Sequence, residues 1–222
     1  MPALDLAYVL RVLSVALIPG LFAITVHEVA HGWVAKRLGD PTAYMLGRLT
    51  LNPLKHIDLL GTVAVPILAK VIFGGFFGWA KPVPVAYRNL KNPKRDMVLV
   101  AAAGPGVNLL MATGWALLLA ISIGPLGASQ QGWFVANCAN GIQFNLILMV
   151  FNLIPIPPLD GGRVLSGLLP RGASNWLDPV EPYGFIIVLL GVFGPGHFLA
   201  YLFEPPFFFL LRFFDRFVAG LA

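Results

Sequence analysis

Val26-His27-Glu28-Val29-Ala30-His31 interrupts an apolar run that otherwise extends over residues 17–35. On a helix, His27 and His31 stand one turn apart and project from the same face, the spacing at which two imidazoles grip one Zn²⁺. Glu28 directly follows the first of them, the place of a general base acting on water that the metal activates. Ionisable side chains are costly in hydrocarbon, and there they mark functional sites. The plainer reading is structural, with both rings satisfied by neighbouring backbone groups.

The composition puts this helix in a membrane. Of 222 residues, 58% are hydrophobic and 11% charged, where soluble domains carry about 25% charged residues. Mean hydropathy is +0.80, and a soluble fold could not cover so much apolar surface, so an integral membrane protein is expected. The net charge of +5 is explained by loop lysines and arginines. No basic-aromatic patch stands apart from the membrane pattern, so nucleic acid is not an expected partner. Cys138 is the single cysteine, which excludes an internal disulfide. Residues 1–5 hold no basic cluster and no small-residue cleavage site follows the first apolar run, so no removable signal peptide is expected.

Residues 4–18 are apolar but short for a span, and Pro19-Gly20 predicts a break before a second helix over 21–38. Gly39-Asp40-Pro41 stops that helix. Lys36, Arg37, Arg48, Lys55, Lys70, Lys81, Arg88, Lys91, Lys94 and Arg95 then crowd one region, which places it in the cytoplasm by the positive-inside rule. Within it, residues 47–52 and 77–85 read as short strands, the second confined to an edge by Pro82 and Pro84. Residues 59–73 are too short for a span and look re-entrant or interfacial. Residues 97–123, entered through Gly104-Pro105-Gly106-Val107-Asn108, form the strongest span. A connection without lysine or arginine follows, and residues 133–153 return. Pro155, Pro157 and Pro158 forbid a regular helix next and leave backbone groups free at membrane depth. Arg163 and Arg171 fall on the cytoplasmic side, and residues 183–203 and 206–218 supply the last hydrophobic segments. The expected fold is an all-α polytopic membrane protein. It is one domain over residues 1–222, a bundle of about six transmembrane helices, with a short membrane-associated β element between the histidine helix and the next span.

A catalytic zinc needs a third protein ligand and one open position. Asp58, Asp96, Asp178, Glu181 and Glu204 fall in loops or at interfaces. Asp160 lies on the proline-broken segment, which can fold back towards the histidines; its alternative role is to cap a helix starting at Gly161. Asn108 and Asn152 read either as interhelical hydrogen-bonding amides or as groups that stabilise an oxyanion or hold a substrate carbonyl. His56 and His197 have no partner at ligand spacing. Nine residues from His27 to Lys36 amount to about 14 Å of helix, which puts the metal within the hydrocarbon but nearer the cytoplasm.

His27-Glu28-Val29-Ala30-His31, Gly104-Pro105-Gly106-Val107-Asn108 and Asn152-Leu153-Ile154-Pro155-Ile156-Pro157-Pro158-Leu159-Asp160-Gly161 resemble, in order, the three signatures of the site-2 protease family of intramembrane zinc metalloproteases. The resemblance covers roughly residues 22–169. It implies one zinc per chain on His27, His31 and Asp160, with Glu28 activating water and Asn108 and Asn152 close to the active site. It also implies a multi-pass cell-membrane protease whose partners are transmembrane substrate proteins and the lipid bilayer; a homodimer is compatible with it. No stretch is large enough for a PDZ domain or a CBS pair, so the similarity is to the small prokaryotic branch. Two other readings stand beside it. One is a metal-binding scaffold or carrier of the same fold, which would have no use for a base beside its ligand. The other is a prenyl-protein protease, which usually takes a later glutamate as third ligand, a role for which Glu181 is poorly placed.

Overall fold

A computed structural model of the chain describes residues 5–73, 78–129, 132–170 and 180–222. Phe77, Arg171 and Asp178 lie outside them, as does the side chain of Glu181. Helix α1 runs unbroken over Leu6–Leu38, so Pro19-Gly20 does not end a first segment. Proline removes one internal hydrogen bond, a loss that membrane helices absorb where neighbours pack against it. Pro19 is buried here, and the Phe144 ring comes within 3.7 Å of where a Cβ on Gly20 would stand. The predicted stop does occur. Gly39 takes a left-handed φ of +115° and returns its N–H to the Ala35 and Lys36 carbonyls.

Asp40, fully buried, then ties the chain back on itself. Its carboxylate accepts from the Thr42 N–H (3.1 Å) and hydroxyl (2.5 Å), the Ala86 N–H (2.7 Å) and the Asn89 amide (3.0 Å). Burial pushes this carboxyl up, and the four donors more than offset that, holding it below the usual carboxylate range. The start of helix α2 (Thr42–Met45) is thereby fixed to the turn at Tyr87–Asn89.

Among the described residues there is no β-ladder, so the expected β element is not seen as strands. Residues 47–52 have no ladder partner. Residues 78–86 bond from alternate positions, as an extended strand does, but to scattered elements: Trp79 N–H to the Gly61 carbonyl (3.0 Å) and Lys81 N–H to that of His56 (2.9 Å). Pro82 and Pro84 have no N–H for a ladder on the other edge.

A π-turn (Leu59–Ala64) leads into helix α3 (Val65–Phe73), too short to cross. Helix α4 (Pro93–Ile123) passes through Pro105, and α5 is Trp133–Asn152. Helices α6 (Asp160–Leu168), α7 (Gly184–Phe193) and α8 (Phe198–Leu221) follow. α1, α4 and α5 are long and apolar enough to span a membrane, and α7 with α8, bent by 77°, makes a fourth if counted as one broken span. That is fewer than six, because two of the expected segments fuse in α1 and the last two form the bent pair.

The core is the α4–α5–α8 contact. Ala112, Ala116 and Ala120 form a small-residue stripe on α4, facing Ile142, Leu146, Phe214 and Val218. Small residues let membrane helices approach closely where lipid gives no hydrophobic drive. On α5, a Cβ added to Gly141 would come within 2.5 Å of the Trp115 ring. α1 lies along the first half of α4, where Ala35 meets Val100, and holds its histidines towards α4 and α6.

Candidate metal centre

α1 presents His27 and His31 to the interior, 5% and 9% exposed, with their Nε2 atoms 3.0 Å apart. Oδ2 of Asp160 stands 3.3 Å from each. The carboxylate arrives there because α6 begins against its own preceding loop. A Cβ on Gly161 would stand 2.2 Å from the Leu153 carbonyl oxygen, and one on Gly162 would stand 2.4 Å from the Pro157 nitrogen. Only glycines permit that fold-back. The capping role does not hold: Leu159 is the N-cap, and Asp160 is the first helical residue with its side chain turned to the imidazoles.

Hydrogen bonds on the far side of each ring set its tautomer. The Gly141 carbonyl can only accept, so Asn145 turns its NH₂ to it (2.8 Å) and its oxygen to the NH₂ of Asn108 (2.8 Å). The oxygen of Asn108 therefore faces Nδ1 of His27 at 2.5 Å, and that nitrogen must be the donor. Nδ1 of His31 likewise donates to the Val100 carbonyl at 2.7 Å. In the neutral rings both Nε2 atoms then carry lone pairs, aimed at each other and at a carboxylate oxygen.

Three lone-pair-bearing atoms so close repel one another unless a cation joins them. Two observations show that the residues fit one. Oδ2 of Asp160 is buried and has no hydrogen-bond partner. Gly104 on α4 leaves the space: a Cβ there would fall 2.4 Å from Nε2 of His31 and 2.6 Å from Nε2 of His27. The separations also match the edges, about 3.3 Å, of a tetrahedron with bonds of 2.0–2.1 Å. Among the described residues, His27, His31 and Asp160 are the group of three such side chains that could hold a metal ion.

Glu28 lies beside them, its Oε2 accepting from the Val83 N–H at 2.7 Å. All four side chains line a cavity of about 560 Å³ walled by α1, α5, α6, α7 and residues 78–85. Asn152 opens onto it and donates to the Leu148 carbonyl, while Arg163 lines it and stacks over Tyr87. Asn108 does not face the cavity. It is fully buried behind His27, so its amide serves the ligand rather than a substrate. Asp58 and Asp96 are spent on local turns, and Glu204 falls within α8.

The sequence does not single out Asn145 or the Val83 amide, and it gives Gly104 only as part of a motif and Arg163 only as a cytoplasmic-side charge. Asn145 carried a signal, since it stands two turns before Asn152 on an apolar helix. The Val83 amide carried none, because a backbone N–H is the same at every residue.

The model of peptidase family M50 matches residues 120–190. YwhC of Bacillus subtilis, named as a candidate zinc metalloprotease, is 41% identical over 189 residues, 83% of each chain. The chain belongs to peptidase family M50. These are the site-2-type metalloproteases that the three motifs resemble, so this M50 chain is a membrane metalloprotease by family. Rip2 of Mycolicibacterium smegmatis, named likewise, is 32% identical over 183 residues, which are 79% of this chain and 65% of that protein. MJ0611 of Methanocaldococcus jannaschii, also so named, is 30% identical over 140 residues, 63% of each. No solved structure matches the chain.

Proposed function

We propose that this M50 chain is an intramembrane zinc endopeptidase that cuts membrane-spanning segments of other proteins. One observation carries the reading: the buried ligand trio and Glu28 line a single cavity between helices apolar enough to cross a bilayer. Zinc held by His27, His31 and Asp160 would lower the pKa of a water and polarise the scissile carbonyl. Glu28 takes the proton of the attacking water and passes it to the leaving amine. Asn108 keeps His27 in the ligating tautomer, and Asn152 offers an amide to the substrate backbone. A scaffold that only stores metal would need neither the cavity nor the carboxylate of Glu28.

The size of the cavity bears on the substrate. A helix about 10 Å across would fill 560 Å³ in roughly one and a half turns. The substrate therefore enters locally unwound, which also frees its amides from their own helix. Residues 78–86 suit an extended partner. The N–H groups of Trp79 and Lys81 are engaged on one edge, so the carbonyls of Ala80 and Pro84 fall on the other, as acceptors for substrate N–H groups. Replacing residues 78–86 with a polar linker abolishes cleavage on this reading; undiminished cleavage would sink the pairing. The lysine- and arginine-rich connection after α1 supports a cytoplasmic assignment for the nearer membrane face, about 14 Å from His27.

The test of the reaction is Glu28→Gln. Cleavage of a model membrane helix disappears while zinc stays near one per chain; unaltered cleavage refutes the mechanism. His27→Ala loses both zinc and cleavage.

A further inference from the structure

We infer that the backbone amide of Val83 is a positioning group for Glu28, so the segment offered to the substrate also aims the base. The inference rests on the proteolytic reading above. Residues 78–86 alternate in what they hold. Trp79 and Lys81 turn their N–H groups to the carbonyls of Gly61 and His56, which anchors the segment to the chain before it. Val83, next in the same alternation, turns its N–H to Oε2 of Glu28 at 2.7 Å, across 55 positions of sequence. Pro82 and Pro84 flank it and have no N–H. Val83 is therefore the one donor that residues 82–84 can offer.

The chemistry of the base makes that bond consequential. A carboxylate has two oxygens, and in a general base only one should receive the proton. With one lone pair of Oε2 taken by the amide, Oε1 is the freer oxygen for the proton. The amide also fixes the rotation of a side chain that otherwise has three free torsions beside a rigid pair of rings. A carboxylate accepting from an amide makes a charge-assisted bond, and this one is part-buried at the cavity wall. The anchors at Trp79 and Lys81, with the clamp from Asp40 to Ala86, hold the donor still from both sides. A peptide pairing with the opposite edge would press this same segment, so substrate placement and base placement share one backbone.

The experiment removes the N–H without removing the residue. The full chain is made with the α-hydroxy analogue of valine at position 83, which turns that amide into an ester. Val83→Pro is made as the genetically encoded counterpart, and Val83→Ala as the variant that keeps the N–H. Cleavage of a model membrane helix, bound zinc and the infrared carboxylate band of Glu28, isolated by difference against Glu28→Gln, are recorded for each. The expected result is a fall in kcat of about 10- to 100-fold in the ester and proline chains, with KM within threefold and zinc still one per chain. Val83→Ala should remain at least tenfold above both. The Glu28 band should shift in the ester chain and stay in place in Val83→Ala. Three outcomes overturn the proposal: an ester chain with wild-type kcat, an equal loss in Val83→Ala, or zinc lost along with the amide. Should the proline chain not fold, the ester chain alone decides. A wild-type chain that cleaves no membrane helix would remove the proteolytic reading, and the infrared band would still decide whether Val83 holds Glu28.

Discussion

Gly104→Ala is the smallest change that tests the metal centre as described. The added Cβ would stand 2.4 Å from Nε2 of His31, 2.5 Å from Cε1 of His27 and 2.6 Å from its Nε2. Ordinary contact needs about 3.4 Å or more, so something must move by about 1 Å. Zinc ligand distances tolerate shifts of about 0.2 Å. A 1 Å displacement therefore removes the coordination geometry rather than loosening it. A second effect runs the other way, because alanine is better than glycine inside a helix by about 1 kcal/mol. The two act on different states. The helix gain applies with or without metal; the metal-free chain escapes the clash by turning a ring away at the loss of about one hydrogen bond behind it, about 1 kcal/mol, whereas an ion needs both rings in place. Zinc affinity should fall by 100-fold or more, cleavage should vanish, and the metal-free chain should unfold within about 1 kcal/mol of wild type. Titration against a chelator of known affinity reads the first, and thermal unfolding in detergent the last. Zinc binding within threefold of wild type would refute the geometry on which the proposed chemistry stands.

Asn145→Leu breaks the relay that orients Asn108, so zinc affinity measured by chelator competition should drop about 10- to 100-fold although Asn145 touches none of the three candidate ligands. Asp160→Ala should leave the two imidazoles unable to hold the ion, read as zinc below 0.1 per chain by elemental analysis (roughly, for two ligands in place of three). Asp40→Asn weakens the clamp on Ala86 and Asn89 and should cost about 1–3 kcal/mol at neutral pH. The sign with pH follows from the lowered carboxyl: wild-type stabilisation is present above the unfolded value of about 3.9 and is lost as pH falls through the folded one. Unfolding curves of the two chains should therefore converge as pH falls below about 3.9, and a constant gap would count against the clamp being ionic.

The metal ligands were legible in the sequence because each depends on local geometry. His27 and His31 share a helix face by spacing alone, and Asp160 follows three prolines that must break a helix. Among the described residues, fewer helices are long and apolar enough to span than the six expected, for a related reason. Pro19-Gly20 reads as a break by local rules, but Phe144 packs there and α1 continues, a tertiary effect that no single segment reveals. The strands failed differently. Residues 78–86 do behave as an extended chain, but their partners are Gly61, His56 and Glu28 rather than another strand. Alternation predicts extension and says nothing about who accepts the bonds. Asn108 reads from sequence either as an interhelical hydrogen-bonding amide or as a substrate-facing one, since its place near the site is legible whereas the direction of its amide depends on Asn145 and Gly141 of another helix.

What joins these observations is the cost of assembling the ligand set inside hydrocarbon. The ligands come from α1 and α6, and neither helix can satisfy the other's polar atoms. Two neutral rings turned nitrogen to nitrogen beside a carboxylate form an arrangement the fold must impose. It does so by making the reverse side of each ring more favourable: an amide relay through α4 and α5 behind His27, and a carbonyl of α4 behind His31. The cost of preparing the lone pairs is met by hydrogen bonds that would be absent if either ring turned over. Gly104 completes the arrangement by giving nothing, since any side chain there would occupy the point of convergence. A structural histidine pair would need partners on both nitrogens of each ring. Here each ring is held from behind through Nδ1, and its Nε2 meets only the other ring's Nε2 at 3.0 Å and Oδ2 of Asp160 at 3.3 Å, three atoms crowded on one point. That pattern is what separates a metal centre from two satisfied core histidines.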